Sequence, residues 1–383
     1  MQKCNFEKII EVIKAQYNSQ DFIPLHQPLF KGNEKKYVLD CIDSTFVSSV
    51  GKYVDQFENL VAKYTGAKYA IATVNGTAAL HIALLLSGVS KNKEVLTQPL
   101  TFVATCNAIS YCNAHPTFID VNKETLGLCP EKLKHFLKYS TKQTSEGLMN
   151  IHTKRIISAC LPMHTFGHPV QIDKIIKICN KYEIPVIEDA AESLGSSYKK
   201  KHTGTFGLFG TFSFNGNKTL TTGGGGMIVT NNETLAKKAK HITTTAKVPH
   251  KWDYIHDEIA YNYRLPNLNA ALGCAQMEQL DDFLDSKRNL AKRYKDTICS
   301  NIASFFEEPN DCNSNYWLNC LLFHNKKDRD IFLTMSNEQH IMTRPCWNLM
   351  NQLRMFKNSY CDDISNSKTI SNKLVNIPSS VIV

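Results

Sequence analysis

Tyr69-Ala70-Ile71-Ala72-Thr73-Val74-Asn75-Gly76-Thr77-Ala78-Ala79-Leu80, continuing through apolar residues to Leu86, passes from a short β-rich run through a small-residue turn into a longer helical one. Tyr69 to Val74 is predicted as a strand and Thr77 to Leu86 as a helix. The same alternation then repeats along the chain. Glu94 to Gln98, Thr117 to Val121, Arg155 to Leu161 and Pro185 to Glu188 read as strands, while Thr101 to Ser110 and Val170 to Tyr182 read as helices. Strands separated by helical crossovers pair in parallel and bury both faces, so the pattern predicts an α/β fold with a mostly parallel, mixed sheet sandwiched by helices.

Beyond the run Gly223 to Gly226 and the apolar strand Met227 to Thr230, the pattern turns helical at Glu233 to His241, Leu268 to Phe283 and Ser286 to Cys299. The Asn-rich C-terminal stretch carries one strand, Trp317 to Phe323, and helices at Asp328 to Ser336 and Ser365 to Leu374, which predicts a smaller α+β domain. The expected division is an N-terminal extension over 1–30, a large domain over 31–265 and a small domain over 266–383. No Pro/Gly/Ser linker marks the join.

Composition narrows the function classes. A chain of 383 residues buries roughly three quarters of its unfolded surface. With 43% apolar and 21% charged residues it has the balance of an ordinary globular protein. The apolar stretch Ala78 to Val89 carries His81 and Ser87 and falls short of the ~20 residues a bilayer demands, so no membrane role is expected. Met1 to Lys8 holds Lys3, Glu7 and Lys8 without an apolar core, so the cytoplasm is the default location. The thirteen cysteines are scattered, odd in number and without a CxxC pair, and read as reduced core residues with no metal site. The net charge of +9 favours anionic partners in general, but its lysines come in short dispersed groups such as Lys199 to Lys201, so a nucleic-acid surface is not expected.

Three segments carry chemistry. Val74-Asn75-Gly76-Thr77 stands between strand and helix, where free N–H groups and a hydroxyl suit a phosphate; the plain alternative is a glycine turn with Thr77 as N-cap. Val186-Ile187-Glu188-Asp189 ends an apolar strand in two carboxylates, and ligands of open α/β sheets sit at such carboxyl ends; for Asp189 a simple helix cap is the competing role. In Gly210-Thr211-Phe212-Ser213-Phe214-Asn215-Gly216-Asn217-Lys218-Thr219, a lysine lies between a buried β run and the glycines of 223–226, a place suited to imine chemistry by a partly desolvated amine. A phosphate-binding P-loop is rejected there, because Asn217 interrupts the required Gly-Lys pair.

Together with Pro99-Leu100-Thr101-Phe102-Val103-Ala104-Thr105 and Tyr261-Asn262-Tyr263-Arg264-Leu265-Pro266-Asn267, these segments resemble, in order and from about Pro24 to Pro378, the DegT/StrS family of fold-type I sugar aminotransferases. Gly32-Asn33-Glu34, Val47 to Tyr53 and Met342-Thr343-Arg344-Pro345-Cys346-Trp347 resemble the branch that aminates 4-keto sugar nucleotides on the way to bacillosamine- or legionaminic-acid-type sugars. The resemblance implies pyridoxal 5′-phosphate as cofactor, with pyridoxamine phosphate as its intermediate form. It implies Lys218 as the lysine that bonds the cofactor and moves the proton, and Asp189 as the partner of the ring nitrogen. Phe102 would stack on the ring, Gly76, Thr77 and Ser213 would hold the phosphate, and Asn262 would be lent by the neighbouring subunit of a homodimer with shared sites. Glu192 stands beside the cofactor where many relatives carry Gln or His, which leaves its bonding open.

The expected reaction moves the amino group of L-glutamate to the 4-keto carbon of a nucleotide-linked 4-keto-6-deoxyhexose, with UDP the expected nucleotide and a 2-acetamido group on the sugar, in the making of bacterial surface amino sugars. Candidate substrate contacts are His26, Tyr53, Arg344 and Trp347, each with a structural alternative. His164 and His168, flanking Thr165-Phe166-Gly167, read as loop histidines bonded to backbone. Two competitors stand beside this reading. A sugar dehydratase on the same scaffold would carry His where Lys218 stands, and a non-catalytic regulator would bind the cofactor without exchanging its amine.

Overall fold

Seven strands form the central sheet: Tyr69–Thr73 (β1), Glu94–Thr97 (β2), His115–Phe118 (β3), Ile157–Leu161 (β4), Ile187–Asp189 (β5), Phe209–Ser213 (β6) and Gly226–Thr230 (β7). They belong to a computed structural model that describes residues 2–18, 21–298, 301 and 303–382. The spatial order is β1-β7-β6-β5-β4-β2-β3, with β4 and β5 joined by the bridges Cys160–Val186 and Met163–Asp189. β2 pairs in parallel with β3 and β4, and β6 with β5. β7 runs antiparallel to both of its neighbours. The reason lies in the connection 214–225, which holds no helix. A parallel return needs a crossover, whereas a short link can only reverse the chain.

Side chains alternate across this sheet. Phe212, Met227 and Val229 meet Phe57, Val61, Ala270, Ala271 and Cys274 of helices Lys52–Thr65 and Asn267–Met277 on one face. Phe209, Ile228, Ile71 and Val95 meet Leu80, Ile82, Ala108, Ile109, Ala236 and Ala239 of helices Gly76–Leu86, Val103–Tyr111 and Glu233–Thr243 on the other. Both faces are covered, as the continuous burial of β2 and β7 requires.

The C-terminal part builds an antiparallel sheet from Ala303–Phe305 (β8), Asn319–Phe323 (β9), Arg344–Pro345 (β10) and Leu374–Ile377 (β11), in the order β8-β9-β11-β10. Helix Gln2–Tyr17 belongs to the same core: Phe6, Ile9, Ile10 and Ile13 pack with Leu290, Tyr294, Phe323, Phe332 and Val375. The start of the chain is therefore wedged into the C-terminal layer.

Other departures have local causes. The helices expected over Leu268 to Phe283 and Ser286 to Cys299 are Asn267–Met277 and Leu280–Thr297, with Cys299 outside the described residues. The break falls at Glu278–Gln279, where Gln276 and Gln279 both donate to Glu34 Oε1 at 2.7 Å. β3 begins two residues earlier than expected, in register with Glu94 to Thr97. The cysteines among the described residues are free thiols, most of them buried. Among the described residues, no helix is long and apolar enough to cross a membrane.

Candidate active site

The carboxyl ends of β1, β5 and β6 converge with the glycine-rich connection 214–225 around a cavity of about 220 Å³. Gly76, Thr77, Phe102, Asp189, Glu192, Ser213, Lys218 and Trp347 line it. Such strand ends are where open α/β sheets take their ligands.

At one end, helix Gly76–Leu86 starts against β6. Its cap is Asn75, not Thr77: the Asn75 side chain accepts the Ala78 N–H at 2.8 Å. The N–H groups of Gly76 and Thr77 precede the first intrahelical bond and have no carbonyl of their own helix to reach. A Cβ on Gly76 would lie 2.8 Å from Ser213 Cβ and 3.2 Å from its hydroxyl, so glycine alone lets the helix start press on Ser213. Free N–H groups, the positive end of a helix dipole and a hydroxyl together suit a phosphate.

At the other end stands Asp189, 2% exposed. Its Oδ2 accepts the Thr105 hydroxyl at 2.7 Å and its Oδ1 the Ala191 N–H at 3.2 Å. Burial pushes its carboxyl above the usual range, while these two donors and the Lys218 charge pull the other way. No salt bridge to Asp189 exists among the described residues, so a buried carboxylate faces the cavity in want of a cation. Glu188, its neighbour, points to the opposite face, as strand geometry dictates. It accepts N–H groups of Gly204, Phe206 and Gly207 and meets His164 Nε2 at 3.0 Å. His164 Nδ1 takes the Val170 N–H at 3.2 Å, which leaves the Nε2 proton for Glu188 and gives this histidine a structural part. The His168 ring packs edge-on against Phe306 and Tyr316.

Lys218 enters from the side. Its Nζ lies 3.1 Å from Glu192 Oε1 and 3.9 Å from the centroid of the Trp317 ring, whose Nε1 donates to the Asn217 carbonyl at 2.6 Å. Glu192 Oε2 accepts the Phe166 N–H at 2.9 Å. Burial pushes the Glu192 carboxyl up to about 7, with Lys218 opposing. Asn315 fixes this corner by donating to the carbonyls of Glu192 and Leu194 at 2.9 and 2.8 Å. Above the cavity, the rings of Phe102 and Trp347 stand 5.9 Å apart.

An anion cradle, an unpaired buried carboxylate, an aromatic wall and an amine within one cavity fit a molecule with a phosphate, a basic aromatic nitrogen and an aldehyde. The model of the DegT/DnrJ/EryC1/StrS aminotransferase family matches residues 28–382. The chain belongs to this family. It is 39% identical over 339 residues to GDP-perosamine synthase of Escherichia coli O157:H7, covering 88% of each chain. It is 34% identical over 362 residues to GDP-perosamine synthase of Vibrio cholerae, covering 93% of this chain and 94% of that one. Among solved structures it superposes on the Helicobacter pylori aminotransferase PseC, involved in the biosynthesis of pseudoaminic acid, with a TM-score of 0.84 over 94% of both chains at 21% identity, a likeness of fold. As a DegT-family sugar aminotransferase it uses pyridoxal phosphate, and its architecture is fold-type I.

Of the candidate residues, Gly76, Thr77, Phe102, Asp189, Glu192, Ser213, Lys218 and Trp347 share the DegT-family cavity. The other four stand outside its lining. Tyr53 faces a second cavity of about 290 Å³ with Asp40, Phe46 and Asn267. Arg344 is exposed, bonded to Asn337 Oδ1 at 2.9 Å and the Thr343 carbonyl at 2.8 Å. Asn262 is exposed and accepts from Arg264 Nε at 3.0 Å. His26 has both ring nitrogens enclosed and without a hydrogen-bond partner among the described residues, and burial, then the charges of Lys287 and Lys218, hold it well below the usual histidine range. Sequence reasoning missed Thr105, Phe166, Asn315 and Trp317. Thr105 had a signal, one turn after Phe102 in the same motif; Trp317, a hundred residues from Lys218, had none.

Proposed function

We propose that this aminotransferase moves the amino group of L-glutamate to C4 of a nucleotide-linked 4-keto-6-deoxyhexose, and that the nucleotide is GDP. The similarity to two GDP-perosamine synthases supports GDP over the UDP-linked, 2-acetamido sugar that the sequence motifs suggested. The observation that carries the reading is the placement of Lys218 and Asp189 on one cavity, with the start of helix Gly76–Leu86 opposite.

The residues fit pyridoxal phosphate, which when bound supplies an aldehyde and an electron-poor ring able to hold the electron pair left by a departing Cα proton. Gly76 and Thr77 N–H groups and the Ser213 hydroxyl hold its phosphate. Asp189, fixed by Thr105 and Ala191, keeps a proton on the ring nitrogen. Phe102 would stack on the ring, with Trp347 beside it on the same cavity. Lys218 would be the amine that bonds the aldehyde, and as a free amine it would take the proton from Cα of glutamate and later deliver one to C4 of the sugar. Asn262 reaches the neighbouring subunit's site, which makes the working form a homodimer. The nucleotide sugar enters over Trp347, with His26, Tyr53 and Arg344 as its outlying contacts. The division at 1–30, 31–265 and 266–383 is kept as the domain plan with two changes: helix Asn267–Met277 goes with the central sheet on which it packs, and helix Gln2–Tyr17 with the C-terminal layer. The product feeds surface polysaccharide assembly from the cytoplasm.

The test is an assay of 2-oxoglutarate release with GDP-, UDP- and dTDP-linked 4-keto-6-deoxyhexoses, together with Lys218→Ala. Turnover is expected with the GDP sugar and none with Lys218→Ala. Preference for a UDP sugar refutes the nucleotide, and an active Lys218→Ala refutes the site.

A further inference from the structure

Glu192 is the carboxylate set directly against the reactive amine. Its Oε1 is 3.1 Å from Lys218 Nζ, and its Oε2 is held by the Phe166 N–H at 2.9 Å. Phe166 lies in left-handed backbone at φ 56, and Gly167 follows at φ 96, so the donor is fixed by a turn rather than by a helix or strand. Neither partner is in water: Glu192 is 3% exposed and the Lys218 side chain 12%.

Few ionisable groups face this carboxylate. Lys218 comes from the connection between β6 and β7, Asp189 from the end of β5, and the Cys320 thiol from β9. Lys218 alone among these carries positive charge. Among the described residues the anion of Glu192 is thus sustained by one cation, and that cation is the amine whose lone pair does the chemistry. A lysine attacks a carbonyl or takes a proton only as the neutral amine. Each such step begins with a proton leaving Nζ, and a carboxylate at hydrogen-bond distance is the nearest group to receive it.

We propose that Glu192 is the proton partner of Lys218, taking the proton that the amine sheds and returning it when the amine is next charged. The proposal rests on Lys218 being the cofactor-bonding lysine. In the transfer the Nζ–H bond breaks and an Oε1–H bond forms; the electron pair stays on nitrogen, and ammonium plus carboxylate become amine plus carboxylic acid. Net charge is unchanged and no further reactant is needed. Three features make the acid form accessible. Burial disfavours the separated charges. Asp189, a second carboxylate nearby, opposes a negative Glu192. The Phe166 N–H holds Oε2, so Oε1 faces the amine in both states.

The experiment uses the full chain loaded with pyridoxal phosphate, as wild type, Glu192→Gln and Glu192→Asp. Glutamine keeps the shape and one acceptor oxygen, enough for the Phe166 N–H or for Lys218 Nζ but not for both, and it cannot take the proton. The pH midpoint of the visible absorption band is expected to fall by about one unit or more in Glu192→Gln, because the carboxylate no longer steadies positive charge at the lysine nitrogen. The single-turnover spectral change on mixing with glutamate is expected to slow about 100-fold, with Glu192→Asp recovering part of it. A Glu192→Gln protein with the wild-type midpoint overturns the proposal, whether or not it is slowed, since slowing alone marks a packing role. If Glu192→Gln does not fold, the cofactor-free wild type decides, with glutamate carboxyls labelled in ¹³C to set them apart from Asp189. An infrared carboxylic-acid band growing in near pH 7 supports the proposal, and no such band above about pH 5 overturns it. Lys218→Ala is the control: if it keeps the wild-type visible band, the assignment of Lys218 itself fails, a result separate from any outcome at Glu192.

Discussion

Thr105→Val removes the support beneath Asp189 with little change of shape. The Thr105 hydroxyl gives its one proton to Asp189 Oδ2 at 2.7 Å and therefore accepts the Thr101 hydroxyl proton at 2.6 Å. Thr105 is 0% and Asp189 2% exposed, so water does not replace what is lost. In the variant Asp189 keeps only the longer bond from the Ala191 N–H at 3.2 Å, and the Thr101 hydroxyl, losing its acceptor, turns its one proton to Met163 Sδ at 2.9 Å. A hydrogen bond to a charged group contributes about 1.5–3 kcal/mol, which is roughly one to two factors of ten. The loss falls on the ionised form of a carboxyl that burial already pushes above its usual range. Cofactor affinity, read by absorbance titration, and the glutamate half-reaction, read by stopped flow, are each expected to weaken about 10- to 100-fold, and Thr105→Ser to recover most of both. The sign with pH follows. Because the folded pKa of Asp189 lies above its unfolded value, its ionised form weighs against the cofactor-free fold, and this is relieved as pH falls through the folded pKa. The gap in melting temperature between Thr105→Val and wild type is therefore expected to close on acidification. Wild-type affinity and rate in Thr105→Val would refute the idea that a tethered Asp189 grips the ring.

Gly76→Ala places a methyl 2.8 Å from Ser213 Cβ. Overpacking of this kind typically involves about 1–3 kcal/mol, so cofactor binding followed by fluorescence should weaken about tenfold, and unchanged affinity would mean that the phosphate sits elsewhere. Lys287, buried with its amine on the carbonyls of Trp317 and Ser379, is pushed down to about 7 by burial. The unfolded chain keeps that proton up to its ordinary value of 10.5, so wild-type stability gains from this group as pH rises from about 7 towards 10.5. Lys287→Met should flatten the rise, and equal slopes of melting temperature against pH in the two proteins would contradict it.

Much of the fold was legible because period carries it. The alternation from Tyr69 onward gave β1 to β5 and the helices Gly76–Leu86, Val103–Tyr111 and Ile172–Asn180, each within a few residues of its observed bounds, whereas helix Pro130–Tyr139 between β3 and β4 went unread. Helix Gln2–Tyr17 shows its spacing too, at Phe6, Ile9, Ile10 and Ile13, yet reads as an extension because nothing local says what that stripe packs on. The helix break at Glu278–Gln279 was hidden for a like reason, being tied to Glu34 more than two hundred residues away.

What the residues determined unaided was a short set of local chemistries. They include a small-residue turn able to free helix N–H groups, a strand ending in a carboxylate, and a lysine beside a glycine-rich reversal. Each depends on a few neighbours in sequence, and so survives without coordinates. Only the tertiary structure decided how these act on one another. It turned Glu188 and Asp189 to opposite faces, gave the cap to Asn75 and not Thr77, and set Trp317 under the Lys218 amine. It also closed water out around Glu192. Hydrogen bonds and desolvation depend on distances of a few ångströms between residues far apart in the chain, and the packing of the sheet against both layers sets those distances.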